Sequence, residues 1–229
     1  AMSSHAVVVS TAKDYEPQLG IELLEGPERS YWIKRSPEAA MPGTSLLAYL
    51  LSDHRYIAGE YSKQMVHPGN VVVDVGAHVG VFTQVALRQG ASKVIAVEPD
   101  PVNLECLRRN FAAEIQSGRV VPFSKGLWSS DGTLELNESS FNSGTNSVVP
   151  GFVKNASETT HITVTTFDRM VTDLGLERVD FIKMDIEGAE REALKGAQAT
   201  LRQLHPRLML DSYHPKSGSW GRPTGPAGA

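Results

Sequence analysis

The clearest pattern in the chain is a change of period near residue 70. From "NVVVDVG" (70–76) onward, short apolar runs alternate with stretches whose apolar residues recur every three or four positions. "NVVVDVG" reads as a buried strand, and the helical spacing that follows from about Val79 to Arg88 stops at Gly90. "SKVIAVE" (92–98) is a second strand. "DPVNLECLRRNF" (100–111) is a well-signed helix. Asp100 is its natural N-cap, Pro101 suits the first helical position, and Leu104, Leu107 and Phe111 form its apolar stripe. "RVVPFS" (119–124), "VDFIKMD" (179–185) and "RLMLDS" (207–212) add three strands, with a helix expected from about Glu187 to Leu201. Strands alternating with helices predict an α/β fold with a doubly wound, mostly parallel sheet.

Two regions depart from that rhythm. "GTLELNES" (132–139) and "HITVTTF" (161–167) alternate at period two around a long polar loop, which predicts an inserted β excursion. Leu134, Leu136, Ile162 and Val164 read as its core positions. Residues 1 to about 40, with scattered prolines and glycines, read as an irregular or weakly β lead-in. "TSLLAYLLSDHRYIAGEY" (44–61) then has leucines at helical spacing, with Thr44 as N-cap. The expected organisation is a lead-in over 1–66, a ligand-binding domain over 67–214 and a disordered Gly/Pro/Ser-rich tail over 215–229.

Composition narrows the class of partner. The chain has 229 residues, 41% hydrophobic and 21% charged, with a net charge of -4. That acidic balance offers no basic footprint for nucleic acid or an anionic membrane. The one cysteine, Cys106, rules out an internal disulfide and reads as a packed thiol. No apolar run approaches the ~20 residues that span a bilayer. "AMSSHAVVVS" lacks the basic lead of a signal peptide, so the expected compartment is the cytoplasm.

The chemistry concentrates where the first strand of the alternating region ends. In a doubly wound sheet, ligands bind at the carboxyl ends of the strands where the strand order reverses. Asp74, Gly76, Ala77, His78 and Gly80 surround that turn, and glycines let backbone approach a ligand. Glu98, followed by Pro99, closes the second strand, where a carboxylate commonly accepts both hydroxyls of a ribose. The pair indicates a nucleoside-containing cofactor. A dinucleotide would need G-x-G-x-x-G, and His78 and Val81 occupy its second and third glycine positions.

The D-x-G-x-x-x-G spacing of Asp74, Gly76 and Gly80 resembles the motif of class I S-adenosylmethionine (SAM) methyltransferases. "VVVDVGAHVGVFT", "VIAVEPDPVNLECLRRN", "VTTFDRM" and "VDFIKMDIEGAEREALKGA" follow in the order and spacing of the FkbM-type methyltransferases, with "AGEY" (58–61) as a similar lead-in. The resemblance implies a Rossmann-like fold, SAM as cofactor and O-methylation of a hydroxyl on a small molecule or glycan. It places Ser124, Lys125 and Gly126 near adenine. His78 stands where that family usually has Asn. Class I enzymes close their sheet with a C-terminal antiparallel strand pair, whereas this chain turns to Gly/Pro-rich sequence after His214. The fold is therefore expected to lack that pair, or to cover its sheet with the excursion strands.

Asp185 and Glu187 are expected beside the reactive methyl, where carboxylates orient an acceptor, take its proton or steady the sulfonium charge. The alternative is a pair of helix N-terminal acids complementing the macrodipole, with Arg191 as partner of Glu187. His214 is a candidate base and Asp185 a second-line cofactor contact. Lys183 either faces the site or snorkels to the surface, and Asn142, Asn146 and Ser147 are candidates for a substrate lid. No His/Cys/Asp spacing reads as a metal site. The rival readings are a SAM binder without transferase activity, an RNA methyltransferase and a nicotinamide oxidoreductase.

Overall fold

The computed structural model describes residues 10–35, 42–52, 66–139, 143–153 and 156–210. The lead-in is regular: strands β1 (Ser10–Glu16), β2 (Ile21–Glu25) and β3 (Ser30–Lys34) form an antiparallel sheet in sequence order. Its glycines and prolines sit at the turns, and adjacent Leu23 and Leu24 blur the alternation that would announce β2. Helix α1 (Gly43–Ser52) follows. It starts one residue ahead of the Thr44 expected to cap it, with Leu46 N–H donating to the Pro42 carbonyl (2.9 Å). Residues 53–65, including "AGEY", lie outside the described residues.

The central sheet holds β4 (Val71–Val75), β5 (Lys93–Val97), β6 (Val120–Phe123), β10 (Phe181–Met184) and β11 (Arg207–Leu210), all parallel, in the order β11-β10-β4-β5-β6. The order reverses between β4 and β10. The inner strands β4, β5 and β10 are buried on both faces because helices cover both, whereas edge strand β11 leaves Leu208 and Leu210 exposed. Val72, Val94, Ala96 and Phe181 pack against α2 (Val81–Arg88) and α3 (Pro101–Asn110). Val73, Ile95, Ile182 and Met184 face the opposite layer. That layer comprises α5 (Phe167–Asp173), α6 (Glu190–Lys195) and α7 (Gln198–Leu204), with a short α4 (Ala112–Gln116) trailing α3. Fully buried Phe111 and Phe167 anchor the two layers, each worth about 1.5–3 kcal/mol in water excluded.

The single helix expected over 187–201 is two. Asp168 breaks it from outside by accepting N–H bonds from Ala199 (3.0 Å) and Thr200 (2.8 Å), so α7 starts on a cap borrowed from α5. Helix α5 itself had a legible signal, because Thr166 caps it by accepting from Arg169 N–H (3.0 Å).

The excursion forms a separate sheet. β7 (Gly126–Leu127) pairs parallel with β9 (Ala156–Thr165), and β8 (Gly132–Ser139) pairs antiparallel with β9. It does not extend the central sheet, so of the two alternatives raised by the sequence, the one in which the excursion strands cover that sheet is not what forms. It sits instead over the carboxyl ends of the strands. The lead-in sheet is tied to the same end: Asn110 accepts Trp32 N–H (2.6 Å) and donates to the carbonyls of Trp32 (3.0 Å) and Val79 (2.9 Å).

Candidate active site

A cleft of about 660 Å³, open mouth included, lies at the carboxyl ends of β4, β5 and β10, where the strand order reverses. Its floor is the turn after β4. Gly76, with φ 76°, lies so close to β10 that a Cβ would stand 2.0 Å from the Asp185 carbonyl oxygen. Glycine is therefore required for the two strand ends to meet. Gly76 and Ala77 N–H both donate to the Val97 carbonyl (3.0 Å each), which fixes the turn to β5.

Under this floor lies a buried ion pair. The register of β4 and β10 sets Asp74 directly beside Lys183, on the same face of the sheet. Lys183 Nζ lies 3.3 Å from Asp74 Oδ1 and donates to the Gly76 carbonyl (2.8 Å), and Thr83 Oγ1 donates to Asp74 Oδ2 (2.7 Å). Burial pushes the Asp74 carboxyl up, against the opposing effects of Lys183 and Thr83. Lys183 thus reaches neither the cleft nor the surface. It braces the turn from beneath.

Glu98 is buried on the cleft wall at 6% exposure. One oxygen accepts His78 N–H (2.8 Å) and the other Asp100 N–H (2.9 Å). Burial, with the charge of Asp100 added, pushes this carboxyl up to about 8 despite those two donors and Lys183. His78 adopts φ 52°, and its ring Nε2 lies 2.9 Å from Ser143 Oγ. Burial, then the Lys183 charge, hold the ring down to about 3, so it is neutral.

Of the residues singled out from sequence, Gly76, His78, Glu98, Pro99, Gly126, Asn146, Asp185 and Glu187 line this one cleft. Others fall behind it. Asp74 points at Lys183, Ala77 is packed in the core, and Gly80 serves packing rather than a ligand. Gly80, at φ 92°, starts α2 against Phe111, whose ring would meet an added Cβ at 2.2 Å. Ser124 is exposed and, with Lys125, stands off the wall. His214 lies outside the described residues.

The excursion supplies most of what sequence reasoning missed. Leu136, Ile162 and Val164, read as core alone, form an apolar wall with Leu127 and Val148. Ser143, Gly144 and Asn146 border the opening, and Asn103 joins them from α3. This loop is tied down: Asn103 Nδ2 donates to the Ser143 carbonyl (3.2 Å), Asn146 Nδ2 to Asp100 (3.0 Å) and Ser147 Oγ to the Glu187 carbonyl (2.7 Å). The sequence points to this side through Asn142, Asn146 and Ser147 of the long polar loop, of which Asn146 borders the opening, Ser147 lies buried behind it and Asn142 falls outside the described residues.

A doubly wound parallel sheet with a cleft at its switch point, a glycine floor and a buried strand-end acid defines a Rossmann-like fold of the nucleotide-binding kind. The profile of the family described as "Methyltransferase FkbM domain" matches residues 74–224, and the chain belongs to that family. The protein is a methyltransferase, and family membership implies a SAM-type methyl donor. It is 28% identical over 223 residues to "Methyltransferase sdnD" of Sordaria araneosa, covering 85% of this chain and 82% of that protein. It is 29% identical over 139 residues to "Hexuronic acid methyltransferase AglP" of Haloferax volcanii, covering 59% of this chain and 53% of that one. A crystal structure of an FkbM methyltransferase from Methylobacillus flagellatus is similar over 78% of this chain and 46% of its own, at 21% identity and TM-score 0.45. The chain thus spans about half the length of the latter two.

The cleft fits such a donor on its own terms. Its one fully desolvated acid faces the ligand space, its far wall is apolar enough for a heterocycle, and its glycine floor admits close backbone approach. No helix among the described residues is long and apolar enough to cross a membrane.

Proposed function

We propose that this methyltransferase transfers the methyl group of SAM to a hydroxyl oxygen of a small molecule or sugar. When bound, SAM supplies an activated methyl on a sulfonium. What remains for the protein is to hold the acceptor oxygen in line and remove its proton, contributions worth several kcal/mol and ~10²–10⁴-fold respectively. Glu98 accepts the ribose hydroxyls, and Pro99, Gly126 and the Leu127–Leu136–Ile162–Val164 wall enclose the adenine. Asp185 and Glu187 face the acceptor, where one carboxylate takes the hydroxyl proton.

The observation that carries this reading is the sharing of one cleft by Glu98 and the Asp185–Glu187 turn. A relative that acts on a hexuronic acid makes a polyhydroxylated acceptor the natural first probe. The test is transfer of labelled methyl from SAM to glucuronic-acid oligosaccharides and simple hydroxy acids. Label that survives mild alkali supports an ether on a hydroxyl. Alkali-labile label means a carboxylate acceptor, and salt-sensitive labelling of RNA instead of either would replace the reading.

A further inference from the structure

The turn that carries both acids is fastened from several directions, beginning with Asp185 N–H, which donates to the Val75 carbonyl of β4 (3.1 Å). Glu187 has a left-handed backbone, φ 53°, and Gly188 continues it at φ 96°. The turn closes on itself through Ala189 N–H to the Ile186 carbonyl (3.3 Å) and Ile186 N–H to Glu190 Oε1 (2.8 Å), yet a left-handed glutamate is costly, and contacts from outside add to its hold. Further contacts come from the loop between β8 and β9. Ser147, at 1% exposure, donates its hydroxyl to the Glu187 carbonyl (2.7 Å). The same oxygen accepts Val149 N–H (3.1 Å), which fixes the hydroxyl's direction. Ser147 is itself fastened to β8, exchanging backbone bonds with Asn137 (2.8 and 3.1 Å). The Phe152 ring, from the same loop, fills the space above Gly188, where an added Cβ would stand 2.9 Å from it.

From these contacts we infer that Ser147 is a positioning residue: it holds the Asp185–Gly188 turn so that both carboxylates border the cleft. The inserted excursion thereby sets the geometry of the acids as well as closing the adenine side. This rests on the reading above, in which those acids face the acceptor at the methyl-transfer end of the cleft and so lie within electrostatic reach of the donor's sulfonium. A sulfonium carries a positive charge that S-adenosylhomocysteine (SAH) lacks. Well-placed carboxylates therefore favour SAM over SAH, and a displaced turn loses that preference. A residue that merely supports the fold would weaken both ligands alike.

The test is calorimetric measurement of both dissociation constants for the wild type and for Ser147→Ala, Ser147→Thr and Phe152→Ala, with secondary structure checked by circular dichroism. Ser147→Ala is expected to shift the SAM/SAH affinity ratio at least threefold toward SAH. Ser147→Thr, which keeps the hydroxyl, retains the wild-type ratio. Phe152→Ala loosens the same turn at Gly188 and shifts the ratio in the same direction, so the inference does not depend on one variant folding. A wild type that binds both ligands, with a ratio unmoved by Ser147→Ala and Phe152→Ala, overturns the role of Ser147 alone. A wild type that binds neither ligand overturns the donor site and this inference together.

Discussion

At Glu98, two tendencies oppose each other. Two backbone N–H donors stabilise its carboxylate, while burial and Asp100 push its pKa up to about 8. A folded pKa raised above the unfolded value makes this group's contribution to stability complete below about 4.5 and lost as pH rises toward 8. Ribose hydroxyls donate to the ionised form, so SAH affinity should rise over the same interval. Thermal melts from pH 5 to 8.5, with and without SAH, check both slopes, and Glu98→Gln should flatten them. Glu98→Ala should weaken SAH by more than about 1 kcal/mol, read by calorimetry, since hydrogen bonds to a charged group are worth about 1.5–3. Beneath the turn, Lys183→Met leaves Asp74 buried without its cation and should cost about 3–5 kcal/mol in denaturant unfolding. Asp74→Asn added to it should recover part of that loss.

The elements were legible to different degrees, for physical reasons. β4, β5 and β10 announced themselves because a strand covered on both faces must be continuously apolar, and α3 because its cap and stripe are local. The lead-in showed only as irregular or weakly β because Leu23 and Leu24 hide the period of its sheet, and the break before α7 was missed because its cap, Asp168, is distant in sequence. The site was half legible. A motif counts residues along the chain, whereas the cleft sees only one side of the turn, so Gly76, His78 and Glu98 reach it while Asp74, Ala77 and Gly80 do not. Gly80 makes the point testable. Gly80→Ala strains a left-handed position and drives a methyl into Phe111, so unfolding stability should drop by about 1–3 kcal/mol or more. SAH affinity per folded molecule should fall far less than in Glu98→Ala.

At the scale of the whole molecule, three sheets converge on one end of the fold. The central sheet gives the floor, the excursion gives a wall and the clamp on the acid turn, and the lead-in sheet reaches the floor through Asn110 and Val79. Ligand binding should therefore stabilise the molecule as one unit. SAH at a hundred times its dissociation constant should add about 2.7 kcal/mol, seen as a higher melting temperature, and NAD should add nothing.

Cys106 offers a way to watch that convergence from inside. It is fully buried among Ile21, Leu24, Ile33 and Val81, where the lead-in sheet meets α3, and burial lifts its thiol to about 12. A sulfur so placed is invisible to alkylating reagents until the two layers part. The chain's single thiol is thus a built-in clock, ticking each time the lead-in sheet lifts away.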